Sequence, residues 1–145
     1  MELSCKSEYA LLALLELASQ YDKGEPQQIR QIAAQQNIPD RYLEQLLASL
    51  RRCGLVRSQR GAKGGYLLAR EPWKITLLDV VTCIEGLDAG LSENDSTPKT
   101  LENEVIREVW KEAQEASQSV LQKYTLKDVC ELRNAKQQSD IMYYI

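Results

Sequence analysis

Between residues 27 and 69 the chain sets two short amphipathic helical patterns around one tight turn, then adds a glycine-punctuated hairpin. Few folds accept those pieces in that order. The first pattern, QQIRQIAAQQN, puts Ile29, Ile32 and Ala33 on one face. Asn37-Ile38-Pro39-Asp40 reads as a turn, with Pro39 and Asp40 suited to the first positions of the next helix. That helix is DRYLEQLLASLRRC. Its spacing predicts an inward face of Leu43, Leu46, Leu47 and Leu50, and an outward face of Arg41, Glu44, Gln45, Arg51 and Arg52. Gly54 suits the C′ position that ends it. The pair is a helix-turn-helix candidate, whose second helix is the one expected to show side chains to DNA.

The hairpin follows as LVRSQ, RGAKGG and YLLA, a strand, a tight turn and a strand. A hairpin directly after a helix-turn-helix is a wing. Its glycines permit a tight tip and a close approach to another backbone. Arg60 and Lys63 at that tip can reach a phosphate or a narrow minor groove, where negative potential is strongest. On the preceding helix, Arg41 has the chemistry to read guanine or hold a phosphate, Gln45 to pair with adenine, and Glu44 to accept from a cytosine amino group. Tyr42 either contacts a phosphate or packs. Arg51 and Arg52 stand where they also complement the helix dipole.

The charge agrees with that placement. The 145-residue chain has a net charge of −3, yet residues 1–75 carry 11 Lys/Arg against 8 Asp/Glu (net +3), and residues 76–145 carry 7 against 13 (net −6). Within 51–74 stand Arg51, Arg52, Arg57, Arg60, Lys63, Arg70 and Lys74, opposed by Glu71 alone. A basic block in an acidic protein is the footprint of a polyanion. The length fits one domain, or a small domain with an appended arm, and no apolar run is long enough for a transmembrane helix. The N-terminus has no secretory h-region, so a cytoplasmic location and no membrane partner are expected.

The flanking segments supply the frame. SEYALLALLELASQY reads as a helix, with Tyr9, Leu11, Leu12, Leu15 and Ala18 recurring at three and four. Lys23-Gly24-Glu25-Pro26 breaks it. Thr76 and Asp79 form a capping box for a helix to about Glu85, with Leu77, Val80, Val81 and Ile84 as its buried face. Residues 86–100 are polar and broken by Gly and Pro, a flexible loop. Residues 101–124 carry the longest stripe: Leu101, Val105, Val109, Ala113, Ala116, Val120 and Tyr124, widened by Ile106, Trp110 and Leu121. A helix of that kind needs a partner surface that a small domain lacks, and a second copy of the chain supplies one. Thr125 and Asp128 open a final short helix, TLKDVCEL. The tail 133–145 is expected to be disordered, unless Ile141, Met142, Tyr143 and Tyr144 latch it down.

Catalysis finds little support. The chain has no histidine, which removes the commonest general base and metal ligand. No GxGxxG, GxxxxGK[ST], HExxH or GxSxG is present, and GAKGG leads into a strand rather than a helix. Cys5, Cys53, Cys83 and Cys130 are widely spaced, with no CxxC pair, so reduced, partly buried thiols are expected. Redox sensing through Cys53, at the end of the recognition helix, is the alternative.

Together, SCKSEYALLALLELA, IPDRYLEQLLASLRRCGLV and RGAKGGYLLA resemble the Rrf2 family of winged-helix transcriptional regulators, densely over residues 1–85 and more loosely to about 132. The resemblance implies a mainly α fold with a small β-hairpin wing. A winged helix-turn-helix domain (1–85) would be followed by the loop, a dimerisation helix and C-terminal helix (101–132), and the tail. It implies a homodimer on a double-stranded DNA operator, with the recognition helix in a major groove and the wing in a neighbouring minor groove. Matched positions assign groove contacts to Arg41, Tyr42, Glu44 and Gln45, the wing tip to Arg60 and Gly61, and phosphate contacts to Lys6 and Ser7. Cluster-binding members of the family carry three closely spaced cysteines in the loop before the dimer helix, and this chain has none there. No [2Fe–2S] cluster and no other metal is therefore expected on that loop. The signal would come from a protein or small-molecule effector. The alternatives are a cluster on a non-standard ligand set, sensing by thiols, or a protein-interaction module on the same scaffold.

Overall fold

The computed structural model describes residues 3–86 and 100–143; the loop expected at 86–100 lies almost wholly outside the described residues. The helices are α1 (Cys5–Ser19), α2 (Ile29–Gln36), α3 (Asp40–Arg52), α4 (Leu77–Glu85), α5 (Leu101–Lys123) and α6 (Leu126–Tyr143), and the strands are β1 (Val56–Gln59) and β2 (Gly65–Leu68).

Local chemistry fixes the boundaries. Ser4 caps α1 by accepting the Ser7 backbone N–H at 3.1 Å. Asn37 ends α2 at φ 56°, a left-handed conformation that Asn tolerates. Pro39 stands just outside α3 rather than within it, leaving Asp40 as the first helical residue. At the other end of α3 the Leu55 N–H returns to the Leu50 carbonyl and the Gly54 N–H to that of Arg51, a Schellman motif with Gly54 at φ 77°. Thr76 and Asp79 form the expected capping box, at 3.0 and 3.1 Å. Thr125 and Asp128 repeat it at the start of α6, at 2.9 and 3.2 Å.

The core gathers around α1. Ala10, Ala13, Leu14 and Leu17 are fully buried against Ile32, Leu43, Leu47, Leu50, Leu55, Ile75 and Val80. The stripe read from the sequence, Tyr9, Leu11, Leu12, Leu15 and Ala18, is only half-buried. The difference arises because α1 packs against α2, α3, α4, α6 and β2, so that its most enclosed face belongs to other residues. Fully burying one large aliphatic side chain is worth about 1.5–3 kcal/mol, and α3 alone commits Leu43, Leu46, Leu47 and Leu50.

The wing pairs antiparallel, from Val56 opposite Leu68 to Gln59 opposite Gly65. Gln27 bridges the other edge of β2: its N–H reaches the Tyr66 carbonyl at 2.9 Å and its carbonyl takes the Tyr66 N–H at 2.8 Å. Two close approaches, one to Gln27 and one within the hairpin, explain the paired glycines. A Cβ on Gly65 would stand 2.4 Å from the Gln27 carbonyl oxygen, and one on Gly64 would stand 2.3 Å from that of Gln59.

Two expectations are corrected. Residues 133–143 continue α6 as helix instead of forming a disordered tail, because the helix begun at Thr125 meets no breaker before its end. The thiols of Cys53 and Cys83 are not both free: a disulfide joins them, with Cα atoms 6.1 Å apart. Thirty positions separate them in sequence, so only the packing of α3 on α4 brings them together. Cys5 and Cys130 are free.

Candidate nucleic-acid interface

The helix-turn-helix offers one polar face. With its leucines buried, α3 presents Arg41, Glu44 and Gln45 to solvent from its first two turns. These three belong to one helical face by spacing, and none carries a hydrogen bond or ion pair to the rest of the protein among the described residues. Tyr42, beside them, is half-buried and meets the Tyr9 ring edge-on at 5.4 Å between centroids. That ring contact positions Tyr42 at the edge of the polar face.

At the far end of α3, Arg51 donates to the Ser58 hydroxyl of β1 at 3.2 Å, tying helix to wing, and Arg52 donates to Ser49 at 3.1 Å. Both guanidiniums remain exposed and retain further donors. The wing tip projects Arg60, Gly61 and Lys63 into solvent, closed by the Gly64 N–H on the Gly61 carbonyl at 2.9 Å. Gly61 sits at φ 114°, a conformation other residues adopt with strain.

At the start of α1 the two expected phosphate contacts part company. Lys6 is exposed. Ser7 is buried at 1% exposure, and its hydroxyl donates to the Glu85 carboxylate at 2.9 Å. A phosphate cannot reach a hydroxyl enclosed in that way. Ser4 donates to the same carboxylate, and these two hydrogen bonds, with Lys6 nearby, hold Glu85 below the ordinary carboxylate value of 4.5. Glu85 thereby locks the end of α4 to the start of α1. Its role was not legible in the sequence, because its partners lie about 80 positions away.

α5 has no buried residue. Leu101, Val105, Val109, Trp110 and Val120 are 49–73% exposed, as is Ile106 at 65%, and Ala113 and Ala116 are exposed beside them. The chain then returns to the domain: Leu77 donates to the Tyr124 carbonyl, Leu126 donates to that of Ile75, both at 2.9 Å, and Leu126 is fully buried. The C-terminal end of the arm is thus tied back to the start of α4 and to α6, with its apolar stripe bare.

For metal chemistry the donor set is poor. No three side chains of the His, Cys, Asp and Glu types cluster among the described residues. Cys53 and Cys83 are spent on each other, Cys5 and Cys130 stand on α1 and α6, and segment 87–99 has neither Cys nor His in its sequence. A [2Fe–2S] cluster, which wants thiolates, does not fit these residues. No described helix is long and apolar enough to cross a membrane.

Comparison with known proteins agrees with this geometry. The profile of the Rrf2 family, described as iron-dependent transcriptional regulators, matches residues 3–132. The HTH-type transcriptional regulator CymR of Bacillus subtilis is 37% identical over 147 aligned residues spanning both chains in full. Its solved structure, described as that of the global cysteine regulator, covers 91% of this chain and 98% of its own at a TM-score of 0.77 and 34% identity. IscR of T. potens covers 95% of this chain and 90% of its own at a TM-score of 0.74 and 35% identity. A winged helix-turn-helix with a bare dimer-type arm, matched over nearly its whole length by such relatives, belongs to the Rrf2 family: this chain is one of its DNA-binding transcriptional regulators, and not an enzyme.

Proposed function

We propose that the protein acts as a homodimer on a double-stranded operator inside the cell, without an iron–sulphur cluster. The observation that carries this reading is the pairing of two opposite surfaces in one chain. α3 and the wing offer exposed Arg41, Glu44, Gln45, Arg60 and Lys63, while α5 offers an uncovered apolar stripe. Each subunit places α3 in a major groove, where Arg41, Glu44 and Gln45 read base edges. Arg60 and Lys63 hold phosphates or enter the adjoining minor groove, with Gly61 allowing close approach, and Lys6, Arg51 and Arg52 add phosphate contacts. The α5 helices of two subunits cover one another's stripes, setting the distance between recognition helices. Because the cysteine ligands of cluster-binding relatives are missing, the signal that modulates binding comes from another source than a cluster on the loop.

Selection of duplexes from a random pool by this 145-residue chain tests the reading. Enrichment of an inverted repeat is the expected outcome; a pool that stays random, with binding that tracks only ionic strength, would contradict it.

A further inference from the structure

Cys53 closes α3 and Cys83 lies within the last turn of α4. Their Cα separation of 6.1 Å is within the range of about 4.4–6.8 Å that a disulfide spans without moving backbone. Cys53 is an exposed residue and Cys83 a half-buried one, so the pair lies at the surface of the domain rather than in its core. The Cys83 sulfur also lies 3.5 Å from the Ser49 carbonyl oxygen, which accepts the Cys53 backbone N–H at 3.1 Å. A disulfide sulfur has no proton to give, whereas a thiol does. Cys83 in its reduced form therefore finds an acceptor already in place, and neither redox state strands a polar group. The two remaining cysteines stand elsewhere, Cys5 at the start of α1 and Cys130 on α6, where burial pushes the thiol up and away from the reactive thiolate.

We infer that Cys53 and Cys83 form a reversible switch that exchanges with small-molecule thiols and disulfides and, when oxidised, pins the recognition helix to α4. The Cys53 thiolate attacks one sulfur of a small disulfide RSSR, and RS⁻ leaves and takes up a proton. The Cys83 thiolate then attacks the Cys53 sulfur and expels the second RS⁻. Two protein thiols become one disulfide, one RSSR becomes two RSH, and two electrons pass to the reagent; excess RSH reverses both steps. On the reading of the protein as a dimeric regulator, the consequence is mechanical. α4 packs against both α3 and α5, so the bond ties the recognition helix to the arm that spaces it from its counterpart. Helix and wing are held ready for DNA, and less ordering is needed on binding.

The test equilibrates the full chain in glutathione buffers of opposite poise. In the oxidised buffer, alkylation and proteolysis are expected to yield one linked peptide pair containing Cys53 and Cys83; in the reduced buffer, both are alkylated. On a selected duplex the oxidised chain should bind at least about fivefold tighter. Cys53→Ser, and separately Cys83→Ala, should bind as the reduced chain does in either buffer, while the Cys5→Ser/Cys130→Ser double variant keeps the response. Absence of the linked pair, or a linked chain whose affinity is unchanged, overturns the switch. If no duplex is bound in either buffer, the regulator reading has failed, and amide exchange over 49–55 decides the switch alone. Slower exchange in the oxidised chain upholds it, and equal exchange overturns it.

Discussion

Arg60 makes the plainest case at the scale of single residues. It stands exposed at the wing tip, and its proposed partner is a phosphate, so its contribution is electrostatic and indifferent to sequence. Arg60→Ala should weaken binding to specific and random duplexes alike and reduce the slope of log K against log salt by about 1, read from anisotropy titrations across salt. Glu85 makes a different case. Ser4 and Ser7 donate to its carboxylate and lower its proton affinity in the folded state relative to the unfolded chain. The stabilisation is therefore complete above the ordinary value of 4.5 and disappears as pH falls through the lower folded value. Glu85→Gln should melt earlier than the parent at neutral pH, with the gap closing below pH 4.5, in thermal melts followed by circular dichroism. Arg41, Glu44 and Gln45 were legible in the sequence because helical periodicity alone puts them opposite the leucines. The enclosure of the Ser7 hydroxyl and the ring contact of Tyr42 were not, because a carboxylate from α4 and a ring from α1 are brought in by tertiary packing.

At the scale of elements, the hairpin and the capped helices announce themselves through local chemistry. Thr76/Asp79, Thr125/Asp128 and Gly54 each act on the backbone within a few residues, so composition and spacing suffice to find them. The bridge from Gln27 to Tyr66 and the bond from Cys53 to Cys83 involve residues far apart, and nothing local marks them. The length of α6 was missed for another reason. Its segment beyond 133 is polar, and polarity without a breaker is compatible with an exposed helix as well as with disorder. In the proposed dimer, α5 is the element on which assembly rests. Val109, 61% exposed in the single chain, would be covered in the dimer. A charge left unpaired in such an interface costs several kcal/mol. Val109→Glu should therefore shift sedimentation from two chains to one and abolish operator binding at concentrations where the parent saturates, while the helical circular dichroism of the domain persists.

For the whole molecule, the winged domain and the arm form one device, because Leu126 and the backbone bonds at Ile75 and Tyr124 bring the arm back to the core. α4 packs against both the recognition helix and α5. The absence of histidine and of loop cysteines bears on the same scale, since it concerns what the assembled regulator can hold. Protein purified anaerobically should be colourless in the visible range, with iron and sulphide far below one cluster per chain; brown protein with stoichiometric iron and sulphide would contradict the cluster-free reading. The central claim, that two copies of this chain read DNA through paired recognition helices, is tested most directly by chemical footprinting on a selected duplex. Protection should fall in two symmetric major-groove half-sites, spaced by about one helical turn or a multiple of it, with flanking minor-groove contacts. A single asymmetric patch, or uniform protection along the duplex, would contradict it.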